Sequence, residues 1–118
     1  MSTYLSPPVL PPLVQRALDR LIRAFAPERV MLFGSYAKGS TQENSDVDLL
    51  VIAEIQGNPV HSMRRARQLT ADCFPAVDVV IATPSDVAAA EVVKSPFLLS
   101  ILGSGITLYA RPSVDGTK

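Results

Sequence analysis

The chain has 118 residues, 47% of them hydrophobic, and its eleven basic and eleven acidic side chains leave no formal net charge at pH 7. That composition excludes a disordered chain and a surface basic enough for bulk nucleic-acid binding. A single cysteine, Cys73, excludes an intrachain disulfide, and no apolar run reaches the length of a membrane span.

The N-terminus lacks a basic segment followed by an apolar core, so a single cytoplasmic domain is the expectation. Residues 1–12 form a proline-rich lead with Pro7-Pro8 and Pro11-Pro12. Proline fixes φ and removes the amide donor, so this lead is read as extended. A helix is predicted over about Pro12 to Ala26. Leu13, Val14, Ala17, Leu18, Leu21, Ile22 and Phe25 recur at helical spacing as one apolar stripe, and Pro27 ends it. Arg16, Arg20 and Arg23 fall on the opposite face, which is read as solvated.

Val30 to Phe33 reads as a short buried strand, and Val47 to Ala53 as another. Between them lies Gly34-Ser35, then a short turn of Tyr36, Ala37 and Lys38 stopped by Gly39, then a polar loop to Ser45. A strand that ends in Gly-Ser and opens a helical turn presents backbone N–H groups to an anion. Gly34 allows close approach, and Ser35 adds a hydroxyl. Lys38 and Ser45 are weaker candidates beside the same phosphate. Asp46 and Asp48, two apart on a strand, point to one face, while Val47 points into the core. Two carboxylates held that close are costly without a cation, and Mg²⁺ accepts such oxygens.

Gly57-Asn58-Pro59 marks a turn. A second helix is predicted over about Val60 to Phe74, with Val60, Met63, Ala66, Leu69, Thr70 and Cys73 inward. Arg64, Arg65 and Arg67 with His61 form a basic cluster whose functional reading is contact with nucleotide, RNA or an acidic partner surface; it is read first as a solvated face, and His61 as a surface residue near the helix start. Cys73 is read as a small buried apolar group. A third strand is predicted over about Ala76 to Thr83. Asp78 lies early in this otherwise apolar strand, an expensive place for a charge without a partner. Thr83-Pro84-Ser85-Asp86 is a helix-start signal for an alanine-rich helix over Val87 to Lys94. Ser95-Pro96 opens another helix, apolar nearly all round from Phe97 to Leu102 and ended by Gly103. A last strand covers Ile106 to Tyr109, and residues 111–118 read as a flexible tail.

Gly34-Ser35, ten residues, then Asp46-x-Asp48, with Asp78 on a later strand, resembles the signature of the DNA polymerase β-like nucleotidyltransferase superfamily. The nearest likeness is to the MNT (minimal nucleotidyltransferase) proteins, which are usually paired with HEPN-domain toxins. The resemblance implies an α/β fold, a mixed sheet of about four strands packed with helices, spanning residues 13–110. It implies that Gly34 and Ser35 bind the nucleotide phosphates. Asp46, Asp48 and Asp78 would hold two Mg²⁺ ions, with Asp78 as the group that takes the acceptor's proton. The implied function is an antitoxin that transfers AMP from ATP to a tyrosine hydroxyl of a HEPN RNase toxin, within a hetero-oligomer, with no direct nucleic-acid binding. The chain has no Arg-x-x-x-x-His-x-Tyr motif, so it corresponds to the antitoxin half. Two alternatives remain: a small-molecule nucleotidyltransferase of the aminoglycoside type, and an antitoxin that only binds.

Overall fold

The two central apolar runs pair antiparallel as β1 (Arg29–Phe33) and β2 (Val47–Ile52), with Phe33 opposite Asp48 and Arg29 opposite Ile52. The computed structural model describes residues 10–34, 37, 46–73 and 76–112. Around this hairpin are α1 (Pro12–Phe25), α2 (Pro59–Leu69), β3 (Val77–Ala82), α3 (Pro84–Val93), α4 (Pro96–Ser104) and β4 (Ile106–Ala110). The sheet order is β3-β2-β1-β4. β4 runs antiparallel to β1, with a register shift at Val30/Met31, and β3 runs parallel to β2. A parallel neighbour needs a crossover, and α2 provides it. The result is the mixed α/β sheet expected from the resemblance.

Both faces of the sheet are covered, which explains why β2 is apolar almost throughout. Val30, Leu32, Val47, Leu49, Val51 and Leu108 pack against α1 and against Ala66 of α2. Met31, Leu50, Ile52 and Ala82 pack on the other face against Ile101 of α4, with Val87 of α3 at the margin. Val47, Leu49, Leu50 and Val51 are fully buried. Truncating any of these leucines to alanine removes on the order of 2–5 kcal/mol of stability.

The helix ends follow local chemistry. α1 ends at Ala26, which adopts a left-handed φ of 45° and donates its N–H to the Ile22 carbonyl, and Pro27 follows. α3 opens on a capping box: Thr83 Oγ1 accepts from the Asp86 N–H, and Asp86 Oδ2 accepts from the Thr83 N–H, each at 3.0 Å. α4 runs one residue past Gly103 and stops at Gly105. A Cβ there would stand 2.7 Å from the Ile101 carbonyl oxygen and 3.1 Å from that of Leu32, so the helix-to-strand junction requires glycine.

α2 departs from expectation. It ends at Leu69, not near Phe74. Thr70 Oγ1 donates to the Ala66 carbonyl at 3.0 Å, and the Arg20 guanidinium donates to the Leu69 carbonyl at 3.0 Å. The same guanidinium holds both carboxylate oxygens of Asp72, at 2.7 and 3.3 Å. Arg20, expected on a solvated face, thus ties α1 to the end of α2. Val60, expected inward, is 59% exposed in the first turn of α2. Among the described residues, no single helix is long and apolar enough to cross a membrane. The proline-rich lead up to residue 9 and the tail from residue 113 lie outside the described residues.

Candidate active site

The candidate site lies where β1 ends and β2 and β3 begin. Phe33 delivers the chain to Gly34, which has φ +77°. That left-handed conformation is accessible to glycine at little cost. A Cβ at this position would overlap Oδ2 of Asp48 and stand 3.3 Å from its Cγ. The space a side chain would fill is taken by a carboxylate, so the glycine does two things at once: it turns the strand and admits Asp48.

Asp48 and Asp78 are register partners across the parallel β2–β3 pair. Each shares its face with the residues two and four further along, Leu50 and Ile52 on one strand, Val80 and Ala82 on the other. α3 and α4 cover that face at the Ile52 and Ala82 end, and the aspartates lie at the opposite end. Asp48 is half-buried and Asp78 exposed. Asp46 stands one residue before β2 and is exposed, while Val47 is fully buried as expected. Burial, followed by the charges of Asp78 and then Asp46, pushes the Asp48 carboxyl above its ordinary value. Asp48 thus feels the charges of both other carboxylates.

Their spacing is open. Among the described residues, no three His, Cys, Asp or Glu side chains close into a ready metal cage. The donor chemistry nonetheless fits a hard divalent cation: oxygen ligands only, a central carboxylate destabilised by its neighbours, and space around it. Ser35, Lys38 and Ser45 lie outside the described residues.

A cleft of about 380 Å³ opens beside Asp48 and Asp78, lined by these two with Phe33 and Phe97, by Met63 and Arg67 of α2, and by Thr70 just past its end. Phe97, in the first turn of α4, sets its ring edge-on to Phe33 at 5.8 Å between centroids and stays 51% exposed. Reading the sequence did not place Phe97 or Arg67 here. One signal was present: Met63, Arg67 and Thr70 fall at i, i+4 and i+7, a single helix face. His61 is exposed and away from this cleft, as expected of a surface residue. Cys73 is half-buried, with its thiol 3.5 Å from the Leu13 carbonyl. Burial and the nearby Asp72 push the thiol up, the opposite of an activated nucleophile.

The profile of the family described as Polymerase beta, Nucleotidyltransferase matches residues 17–113. Among solved structures, a Sulfolobus solfataricus protein provisionally assigned as a nucleotidyltransferase superposes with a TM-score of 0.59 at 18% identity, over 84% of this chain and 78% of that one. A toxin–antitoxin structure with AMP-PNP superposes with a TM-score of 0.55 at 24% identity, over 80% of this chain and 72% of that one. None of the curated proteins matches the chain significantly. Since the matched segment runs from the middle of α1 past the end of β4 and takes in Gly34, Asp46, Asp48 and Asp78, the chain belongs to the polymerase beta nucleotidyltransferase family.

Proposed function

We propose that this nucleotidyltransferase is an antitoxin that transfers AMP from ATP to a tyrosine hydroxyl of a HEPN-type RNase toxin. The observation that carries the transfer chemistry is the register pairing of Asp48 with Asp78, with Asp46 alongside and the Gly34 turn against Asp48. The toxin partner is supported by the fold shared with a toxin–antitoxin structure containing an ATP analogue, and by the MNT-like motif spacing.

In this reading Asp46, Asp48 and Asp78 hold Mg²⁺, two ions when fully loaded. The ions supply neutralisation of the triphosphate and of the departing pyrophosphate. The chain's own residues do the rest. The turn at Gly34 and Ser35 seats the β- and γ-phosphates on backbone N–H groups, with Lys38 and Ser45 beside them. Asp78, the most exposed strand carboxylate, faces the incoming hydroxyl and takes its proton. The acceptor oxygen bonds to the α-phosphorus as the bond to the bridging oxygen breaks, and pyrophosphate leaves with that electron pair. Asp48, held against Gly34, fixes the distance between the phosphate turn and the carboxylates.

The test is transfer of label from α-labelled ATP with Mg²⁺ to the protein encoded beside this one, with Asp46→Asn as control. Label on the partner, absent with the variant, is the expected result. A stable complex that blocks the partner's activity without label would overturn the catalytic reading in favour of an antitoxin that only binds. Labelling of an aminoglycoside in place of the protein would overturn it in favour of the small-molecule enzyme.

A further inference from the structure

The cleft at the aspartates does not stop at the sheet. It passes over the free edge of β3 and meets a second depression of about 340 Å³, and the two share Met63 and Arg67. The second depression continues along α2 past Arg64 to Val60. Val60, Met63, Arg64 and Arg67 fall at i, i+3, i+4 and i+7, so one helix face lines the whole path. The result is an elongated groove that begins at Asp78 and is lined along α2 by Arg67, Arg64, Met63 and Val60.

We propose that this groove is the acceptor site, and that it binds an extended, acidic segment of the partner polypeptide that carries the acceptor hydroxyl. The inference rests on the transferase reading above and names the chemistry of its acceptor. Three observations carry it. First, position: the sheet order puts the phosphate turn at the end of β1 and the groove beyond β3. β1 and β3 are about 10 Å apart, two strand spacings, so a nucleotide at Gly34 leaves the outer side of β3 to the acceptor. Second, charge: Arg64 and Arg67 are exposed and, among the described residues, make no ion pair, while Arg20 is already held by Asp72. Third, backbone: among the described residues β3 has no partner strand on its outer edge. Such an edge offers N–H and C=O groups to an extended peptide. Phe97, half exposed beside Asp78, provides a flat apolar wall on which an aromatic acceptor ring can stack.

RNA fits this surface less well. The chain has no net positive charge, the far end of the groove is apolar at Val60 and Met63, and its inner end is carboxylate. An RNA backbone also gains nothing from a strand edge.

The test uses the full chain and two fluorescein-labelled tyrosine peptides, one flanked by glutamate and leucine, the other by lysine and leucine. Anisotropy is read with Mg²⁺ and a non-hydrolysable ATP analogue. The glutamate peptide is expected to bind at least about tenfold tighter than the lysine peptide, with the gap narrowing in high salt. Arg67→Glu is expected to remove that preference and Arg67→Gln to reduce it. Phe97→Ala is expected to weaken both peptides, and the affinity for the ATP analogue alone is expected to stay within about twofold in all three variants. Equal binding of the two peptides, or no binding of either, overturns the proposal. So does an Arg67→Glu variant that loses the ATP analogue as much as the peptide, or displacement of the peptide by a short single-stranded RNA. The two readings fail separately. A glutamate peptide that binds through Arg67 while neither it nor the partner is ever labelled sinks the transferase reading. A labelled partner with no peptide preference sinks only the acceptor groove.

Discussion

Gly34 and Asp48 share one volume: the carboxylate of Asp48 occupies the place where a side chain at position 34 would begin. The turn at the end of β1 and the first inward carboxylate of β2 are therefore a single packed unit. Gly34→Ala must both adopt φ +77° with a Cβ and displace Asp48. The expected cost is about 1–3 kcal/mol of stability and at least a hundredfold in transfer rate. Thermal melts and labelled-ATP transfer measure the two losses. Because one clash links the two residues, Gly34→Ala should cost less in an Asp48→Ala background, with a coupling of about 1 kcal/mol or more. Strict additivity in that double-mutant cycle would show that the contact carries no energy.

The role proposed for Asp48 comes at the expense of stability. Its carboxyl is pushed up by burial and by the charges of Asp78 and Asp46. A carboxyl whose folded pKa is raised favours the native state while protonated, and that contribution is lost as pH rises through the raised value. The metal-free protein at neutral pH therefore carries a strained charge. Asp48→Asn is expected to raise Tm by about 2–4 °C without divalent ions while abolishing transfer. Mg²⁺ is expected to raise the Tm of the native protein and to do so far less in the variant. A variant that melts below the native protein would contradict this account.

The ion pair between Arg20 and Asp72 has the opposite sign. Its hydrogen bonds to Arg20 hold the Asp72 carboxyl below its ordinary value. Its contribution is present above the ordinary carboxylate range and is lost as pH falls through the depressed value. Arg20 also satisfies the Leu69 carbonyl at the end of α2, a demand that does not titrate. Arg20→Met should lower Tm at pH 7, and lower it less in acid or high salt, with a remainder at all pH values from the lost Leu69 bond. Equal destabilisation at pH 7 and in acid would assign the whole effect to that carbonyl.

The two ends of α3 predict opposite effects. Thr83→Ala removes one half of the capping box and should cost about 1 kcal/mol. Lys94 ends the helix with φ 56°, a conformation that glycine reaches without strain, so Lys94→Gly should gain about 0.5–1 kcal/mol. Urea denaturation midpoints with unchanged m values check both.

Much of this protein could be read along the chain. Val47 and Leu49 face one way and Asp48 the other because a strand alternates, and that alternation needs no tertiary information. The signal Thr83-Pro84-Ser85-Asp86 is likewise local, and it forms the capping box expected of it. Gly34, with Asp48 behind it, was legible as a turn that admits close approach. What misled was α2. A helical period over Val60 to Cys73 looks continuous, yet the helix stops at Leu69, where Arg20, 49 positions earlier in the chain, takes the terminal carbonyl. Arg67 is exposed, as a solvated face implies, but periodicity gives a residue's angle on its own helix, not the cleft it lines.

The sequence by itself determined the strands, the turn, and the carboxylates Asp46 and Asp48 at the start of β2, because each depends on contacts within a few residues. Only the tertiary structure decided that Asp78 stands beside Asp48, since that follows from a parallel register set by how α2 crosses the sheet. It alone decided that β3 is an edge and that Arg67 and Phe97 line one cleft beside it. Side-chain pattern encodes which way a residue points; the packing of distant elements decides what it points at.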